Sequence, residues 1–294
     1  MTNSMRQIAL QSGDDALAPR VTEESRYPNI DTSYTVLPYT GQMLSIRTNQ
    51  RFGIKVWGGT RAASQQGVAI HGNLLVSFGS SNTHYIYTIG TGGTLTQVGT
   101  LSLATEHSNA LQFAPTIESG QTFPYLYVAG LDSRKCYVVS IAADYTATIV
   151  QTITTPSDVY QAIIGDDGYI WGSGNSGGAK PRVFTKFRKV AVSEGDVTLT
   201  ADDIIDQWAT DKIYNSDNVT AQGWSVKYGK IWFCYGAAGA GKLRGVDVYD
   251  TANHRRITEI NLTDFTSLEL EDLDFYDNSM ILATVQATIY ELRF

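Results

Sequence analysis

One short pattern recurs five times along this chain: an amide or acid, a small or short residue, an apolar residue, any residue, then an apolar or small one. The copies are Gln66-Gly67-Val68-Ala69-Ile70, Asn109-Ala110-Leu111-Gln112-Phe113, Gln161-Ala162-Ile163-Ile164-Gly165, Gln222-Gly223-Trp224-Ser225-Val226 and Glu271-Asp272-Leu273-Asp274-Phe275. A repeated unit of this size cannot bury its apolar face alone, so the copies must pack on one another. A four-stranded propeller blade takes about 40–50 residues. Two of the four intervals fall within that length, and the other two are stretched by loops.

Each copy is followed by a turn and a second apolar run: Leu74–Phe78, Tyr125–Ala129, Tyr169–Gly172, Ile231–Tyr235 and Met280–Thr284. Gly72-Asn73, Asp166-Asp167-Gly168, Tyr228-Gly229-Lys230 and Asp277-Asn278 lie at the turns, where tight hairpins need residues that tolerate positive φ. Third strands are expected at Tyr85–Ile89, Tyr137–Ile141, Val183–Phe187, Gly245–Tyr249 and Thr288–Leu292. Fourth strands are expected at Leu95–Leu101, Ala147–Ile153, Val197–Thr200 and Arg256–Leu262, with Ala201–Trp208 as a short helix. The fifth unit ends after three strands, so its outer strand must come from the N-terminal side, from Thr35–Leu37 or Met43–Ile46, if the ring is to close. No helical crossovers separate the strands, which argues against a parallel α/β sheet. A β-sandwich is the other all-β option, but it does not account for fivefold self-similarity. The expected fold is therefore all-β, a five-bladed β-propeller over residues 34–294 with an extended N-terminal arm over residues 1–33.

Composition narrows the function. The net charge is −7 and the pI about 5.1. No basic stripe capable of neutralising phosphates is present, so nucleic acid is not an expected partner. The densest basic stretch, Lys180–Lys189, reads as an alternating strand with a solvated face. Cys136 and Cys234 both lie in apolar strand patterns and read as buried free thiols. No apolar run is long enough for a signal peptide or a membrane span, so a soluble protein made in a cytoplasm is expected.

The repeat places Gln66, Asn109, Gln161, Gln222 and Glu271 at equivalent positions near the central channel. Such a ring could hydrogen-bond a polar ligand such as a sugar, or it could tie neighbouring blades together. Tyr160, Trp224 and Tyr228 flank or occupy the inner strands. Their rings suit either sugar stacking or packing between blades. Acids cluster at Glu269, Glu271, Asp272 and Asp274. Glycoside hydrolysis needs two carboxylates on opposite sides of the scissile bond. The four equivalent segments supply no second acid, which leaves loop residues such as Asp158 or Asp217. A non-enzyme is therefore expected. His71, His84, His107 and His254 lack metal-ligand spacing, no Gly-x-Ser-x-Gly elbow occurs, and Gly236–Lys242 lacks phosphate-loop spacing and reads as a hairpin. No cofactor and no metal are expected.

Residues 6–20, Arg-Gln-Ile-Ala-Leu-Gln-Ser-Gly-Asp-Asp-Ala-Leu-Ala-Pro-Arg, resemble the opening segment of bacteriophage tail-fibre and baseplate receptor-binding proteins. The Gln-Gly-apolar inner strands at Gln66-Gly67 and Gln222-Gly223 are similar to the five-bladed platforms of such proteins from phages of Gram-positive bacteria. The resemblance implies a virion location and an attachment role for the arm, with Ile8, Leu10, Leu17 and Pro19 docking on other virion proteins. It also implies a homotrimer whose propeller binds host surface glycan or a neighbouring virion protein. No heptad stem precedes the propeller, which leaves head and neck positions open beside the tail.

Overall fold

The computed structural model describes residues 35–38, 51–57, 62, 65–131, 133–174, 179–216, 218–277, 279–285 and 287–293. The arm, with Ile8, Leu10, Leu17 and Pro19, lies outside the described residues, as does Met43–Ile46.

Among the described residues the strands form five sheets, each opened by one copy of the repeat. The first blade runs Gln65–His71, Leu74–Gly79, Thr83–Ile89 and Leu95–Ser102; the second Leu111–Phe113, Leu126–Gly130, Lys135–Ile141 and Ala147–Thr154. The third runs Gln161–Ile164, Ile170–Gly174, Lys180–Phe187 and Ile204–Tyr214; the fourth Ala221–Lys227, Lys230–Tyr235, Gly245–Asp250 and Arg255–Asn261. The fifth opens with Leu270–Tyr276, Ser279–Thr284 and Ile289–Arg293. All pairs of sequential strands within a blade are antiparallel, so alternate side chains face opposite sides of each sheet.

Apolar side chains on those sides fill five layers, one between each pair of consecutive blades. Val76, Ile86 and Leu111 lie between the first and second blades, and Val138, Ile153 and Ile163's neighbour Ala162 between the second and third. Phe184, Trp224 and Phe233 lie between the third and fourth, Val248, Leu273 and Leu282 between the fourth and fifth. Val68, Leu75 and Ile281 join the fifth blade to the first, which closes the ring.

Two expectations are corrected. The strand that completes the fifth blade is Arg51–Val56, paired antiparallel with Ile289–Arg293. Thr35–Pro38 is a further strand outside it, paired with Arg51–Val56. Trp57, just past the closing strand, fastens the seam. Its Nε1 donates to Glu291 Oε2 at 2.9 Å and its backbone N donates to Ile289 O at 3.0 Å. The second correction concerns the third blade. Its outer strand is Ile204–Tyr214, not Val197–Thr200, and only Ala201–Asp203 is a helical turn. Trp208, Thr210 and Tyr214 face inward and Ile205, Gln207, Ala209, Asp211 and Ile213 outward, a two-residue period that a helix cannot satisfy. Val197–Thr198 instead pairs parallel with the outer strand of the second blade.

Polar groups also join the blades away from the channel. Asp247, buried in the fourth blade, accepts from Tyr214 Oη at 2.6 Å and meets Lys212 Nζ at 2.8 Å and Arg256 Nη1 at 3.2 Å. Both Tyr214 and Lys212 belong to the third blade, so one carboxylate gathers two donors from across the joint and a third, Arg256, from its own blade. Cys136 and Cys234 are free and buried.

His84 is the buried histidine of the first blade. Its ring stacks on Phe78 with centroids 3.9 Å apart, and Nε2 lies 3.1 Å from both Leu103 O and Thr105 Oγ1. Burial lowers its pKa to about 4, against a smaller opposing pull from Leu103 O. The unfolded chain therefore takes up a proton near pH 6.5 that the native ring refuses until about pH 4. Stability carried by neutral His84 is complete above pH 6.5 and is lost as pH falls toward 4. In urea denaturation the advantage of the parent over His84→Gln should shrink by roughly 3 kcal/mol between those limits. A pH-independent difference would contradict the assignment.

Candidate functional site: the central channel

The first residue of the repeat is polar for a backbone reason. In the first, fourth and fifth blades the inner strand slips register there, between Gln65 and Gly67, between Ala221 and Trp224, and between Leu270 and Asp272. A bulged residue is left out of the ladder and its side chain is re-aimed. Gln66, Gln222 and Glu271 occupy these bulges.

The next position faces a very narrow axis. A Cβ on Gly223 would lie 1.9 Å from Asn109 O and 2.4 Å from Asp272 Oδ1, and one on Gly67 would lie 1.9 Å from Leu111 Cδ1. Ala110 and Ala162 take the same place in the second and third blades. Asp272, the fifth member, fills the space its small counterparts leave. Its Oδ2 accepts from Val68 N at 2.9 Å, across the seam between the last blade and the first. Two residues on, Asp274 Oδ2 accepts from Ile70 N at 2.6 Å, and its other oxygen pairs with Lys227. Alternate carboxylates thus satisfy alternate N–H groups of a strand edge that has no partner strand. Gln112 does the same on the opposite side. Its Oε1 accepts from Val226 N at 2.9 Å and Ser225 Oγ at 3.0 Å, while its Nε2 donates to Val226 O at 2.8 Å.

At the end where the inner strands begin, the amides form a directed chain. Arg182 Nη2 donates to Gln161 Oε1 (3.2 Å), Gln161 Nε2 to Asn109 Oδ1 (2.5 Å), Asn109 Nδ2 to Gln222 Oε1 (3.2 Å), and Gln222 Nε2 to Glu269 Oε1 (3.1 Å). A cation donates at one end, an anion accepts at the other, and every amide between is oriented the same way. Hydrogen bonds in such a series polarise one another. Four blades are linked by it: the third, second, fourth and fifth.

Burial raises the Asp272 carboxyl well above the ordinary carboxylate range, although the N–H groups of Val68, Leu273 and Leu111 pull the other way. Arg182 is pushed down to about 10 by burial, opposed by Tyr214 and Tyr160. It remains a cation at neutral pH.

Gln161, Asn109 and Gln222 are therefore brought together, and all three are buried. Gln66 is half-buried and not part of the chain; Glu271 is buried. The three aromatics are not brought together. Tyr160 is half-buried at the mouth where the inner strands begin, with Arg134 6.0 Å over its ring. Tyr228 is 41% exposed at the opposite end, edge-on to Phe275 at 5.4 Å. Trp224 is 0% exposed and packs on Phe184 at 5.6 Å. It belongs to the core between two blades, so its indole offers no face for a sugar. Arg182 and Lys227 were not expected at the channel. Arg182 sits inside the stretch read as an alternating strand, at a register shift between Pro181 and Val183, and its place two residues before the inward Phe184 was the available sign. Gly236–Lys242 is a hairpin connection, held by Arg244 through Lys242 O at 2.9 Å and Gly239 O at 2.6 Å. Among the described residues no group of three or more His, Cys, Asp or Glu is placed to hold a metal ion.

The class these features define is a five-bladed β-propeller whose axis is packed with polar side chains. Two solved structures share the architecture. The glutaminyl cyclase of Myxococcus xanthus aligns over 86% of this chain and 95% of its own, with 11% identity and a TM-score of 0.54. The tail fibre of Staphylococcus aureus phage P68 aligns over 86% of this chain and 52% of its own, with 13% identity and a TM-score of 0.50. At these identities the likeness is one of fold. No protein-family model matches the sequence, and no curated protein matches it either.

Proposed function

We propose that this chain is a binding propeller of a phage virion, attached to the particle through its N-terminal arm, and that the mouth of the channel beside Tyr160 and Arg182 recognises a host surface glycan. It is not an enzyme in this reading. The observation that carries the proposal is the engagement of the channel's acids. Asp272 and Asp274 accept backbone N–H groups of the first blade, and Glu269 accepts the amide of Gln222. Hydrolysis needs a pair of carboxylates flanking a bond with room for substrate, and here the space between the strands is occupied by the acids themselves. What stays accessible is the mouth, with fixed polar groups and a half-buried aromatic ring, the usual equipment of a sugar site. The tail fibre that shares the fold supports the virion half of the reading.

Full-length chain, fluorescently labelled and applied to an array of bacterial surface polysaccharides, should bind at least one polymer saturably and release no reducing ends from it. Absence of binding by folded protein across the array, or polymer shortening that disappears in Glu271→Gln, would overturn the reading.

A further inference from the structure

Arg182 is a buried cation with no carboxylate partner among the described residues. Its side chain is 95% removed from solvent, on the strand Lys180–Phe187 of the third blade. Nε donates to Ser173 Oγ at 2.8 Å and Nη2 to Gln161 Oε1 at 3.2 Å, and the guanidinium lies 5.4 Å over the Phe233 ring. These contacts fix the plane of the group. None of them is a carboxylate, and Nη1 has no hydrogen-bond partner among the described residues. Glu269 reaches it only through three intervening amides. A guanidinium offers five donors and binds planar oxyanions with two at once. Here two donors hold the group in place, and the free donors lie on the far edge.

The surroundings point the same way. The Tyr160 backbone N donates to Ser173 O at 3.1 Å, so the half-buried Tyr160 stands directly beside the residue that anchors Arg182. Arg134, exposed, lies over the outer side of that ring. Lys180 and Lys242 stand at the neighbouring hairpin connections on the same end of the ring, where the third strands begin.

We infer that the mouth of the channel binds an oxyanion, a carboxylate or phosphate carried by an acidic saccharide, with Arg182 as its charged ligand and the Tyr160 ring beside it. The inference rests on the glycan-binding reading and names the class of glycan. A desolvated guanidinium whose orientation is already fixed loses little entropy when the anion arrives, and the pairing is stronger than in water. The amide chain holds Gln161, and through it Nη2, in the donating geometry whether or not a ligand is bound.

The experiment uses unmodified full-length protein. Phenylglyoxal labelling of arginines is mapped by peptide mass spectrometry with no addition, with inorganic phosphate, with D-glucuronate, and with D-glucose at matched ionic strength. Arg182 should label without ligand and be protected at least tenfold by one of the two oxyanions, but not by glucose. Protection by phosphate alone or glucuronate alone identifies the anion. The same oxyanion should raise the midpoint of thermal unfolding saturably, and Arg182→Gln should lose that rise. Should Arg182→Gln fail to fold, the labelling of the parent protein still decides. An Arg182 that never labels, or labels equally under all conditions, overturns the inference. Protection of Arg182 together with an array showing no polymer binding would leave the anion site standing and remove the glycan reading. Array binding to neutral polymers without protection would do the reverse.

Discussion

Gly223→Ala is expected to be among the most damaging single-methyl changes in this chain. The added Cβ would sit 1.9 Å from Asn109 O and 2.4 Å from Asp272 Oδ1. The first is a backbone atom of the second blade, and the second is a carboxylate held by the first blade. Neither is the free end of a flexible side chain. Relief requires the fourth blade to back away from the axis, which breaks the bonds of Gln112 to Val226 and of Asn109 to Gln222 together. Overpacking alone costs about 1–3 kcal/mol, and buried hydrogen bonds lost with it add to that. A loss of roughly 4 kcal/mol or more, or no soluble protein, is expected from urea denaturation. Gly67→Ala should be milder, since its closest neighbour is the tip of the Leu111 side chain, which can turn. Gly72→Ala, where nothing lies within 4 Å and only the φ of +54° resists, should cost about 1 kcal/mol. Equal effects at the three sites would refute the narrow axis.

Asp272→Ala should follow closely, with a loss of about 2–4 kcal/mol, because it strands Val68 N in a dry interior and leaves a void where five blades meet. Asp272→Asn, which keeps an acceptor, should cost much less. The two differ further in their pH response. The native carboxyl keeps its proton well above the ordinary value of 3.8 because it is buried, while the unfolded chain gives its proton up there. The native state then binds one proton more than the unfolded state, so this group's contribution falls by about 1.4 kcal/mol per unit as pH rises above that value. It stops falling only at the native pKa. His84 acts in the opposite sense between pH 4 and 6.5. In the parent the two contributions oppose each other. In Asp272→Asn the rise from His84 should stand alone. Urea midpoints of parent and variant across pH 4.5–8 test this. Parallel curves would mean that Asp272 is ionised in the folded protein.

Much of the ring was legible because blades are built from local pattern. Five polar-small-apolar copies marked five inner strands, and each following hairpin was written in alternating apolar residues with Gly, Asn or Asp at its turn. Two features were hidden by non-local causes. The closing strand Arg51–Val56 pairs with Ile289–Arg293 at the other end of the chain, and nothing in its own residues distinguishes it from Thr35–Pro38, which took the next place out. Ile204–Tyr214 opens on adjacent isoleucines among acids, which imitates a short amphipathic helix until the alternation from Asp206 to Tyr214 is followed through. The channel was half legible. The repeat located Asn109, Gln161 and Gln222, but their coupling depends on bulges and on the approach of blades that are not neighbours in the ring. Arg182 has no counterpart in the repeat, so self-similarity was silent about it. Trp224 occupies an apolar position of the motif, and that position proved a better guide than its aromatic chemistry.

The side-chain amide protons of Asn109, Gln161 and Gln222 report most directly on a channel sealed by directed hydrogen bonds with only its mouth open to ligand. Nitrogen-15 NMR of the perdeuterated full-length chain, with exchange into deuterated water, follows each of them. The account predicts that these three pairs of resonances exchange at least about a hundredfold more slowly than those of exposed amides, since each opening requires breaking buried bonds. Exchange at the rate of free glutamine and asparagine would contradict it, because it would mean that water fills the axis and that the blades meet without this chain of bonds.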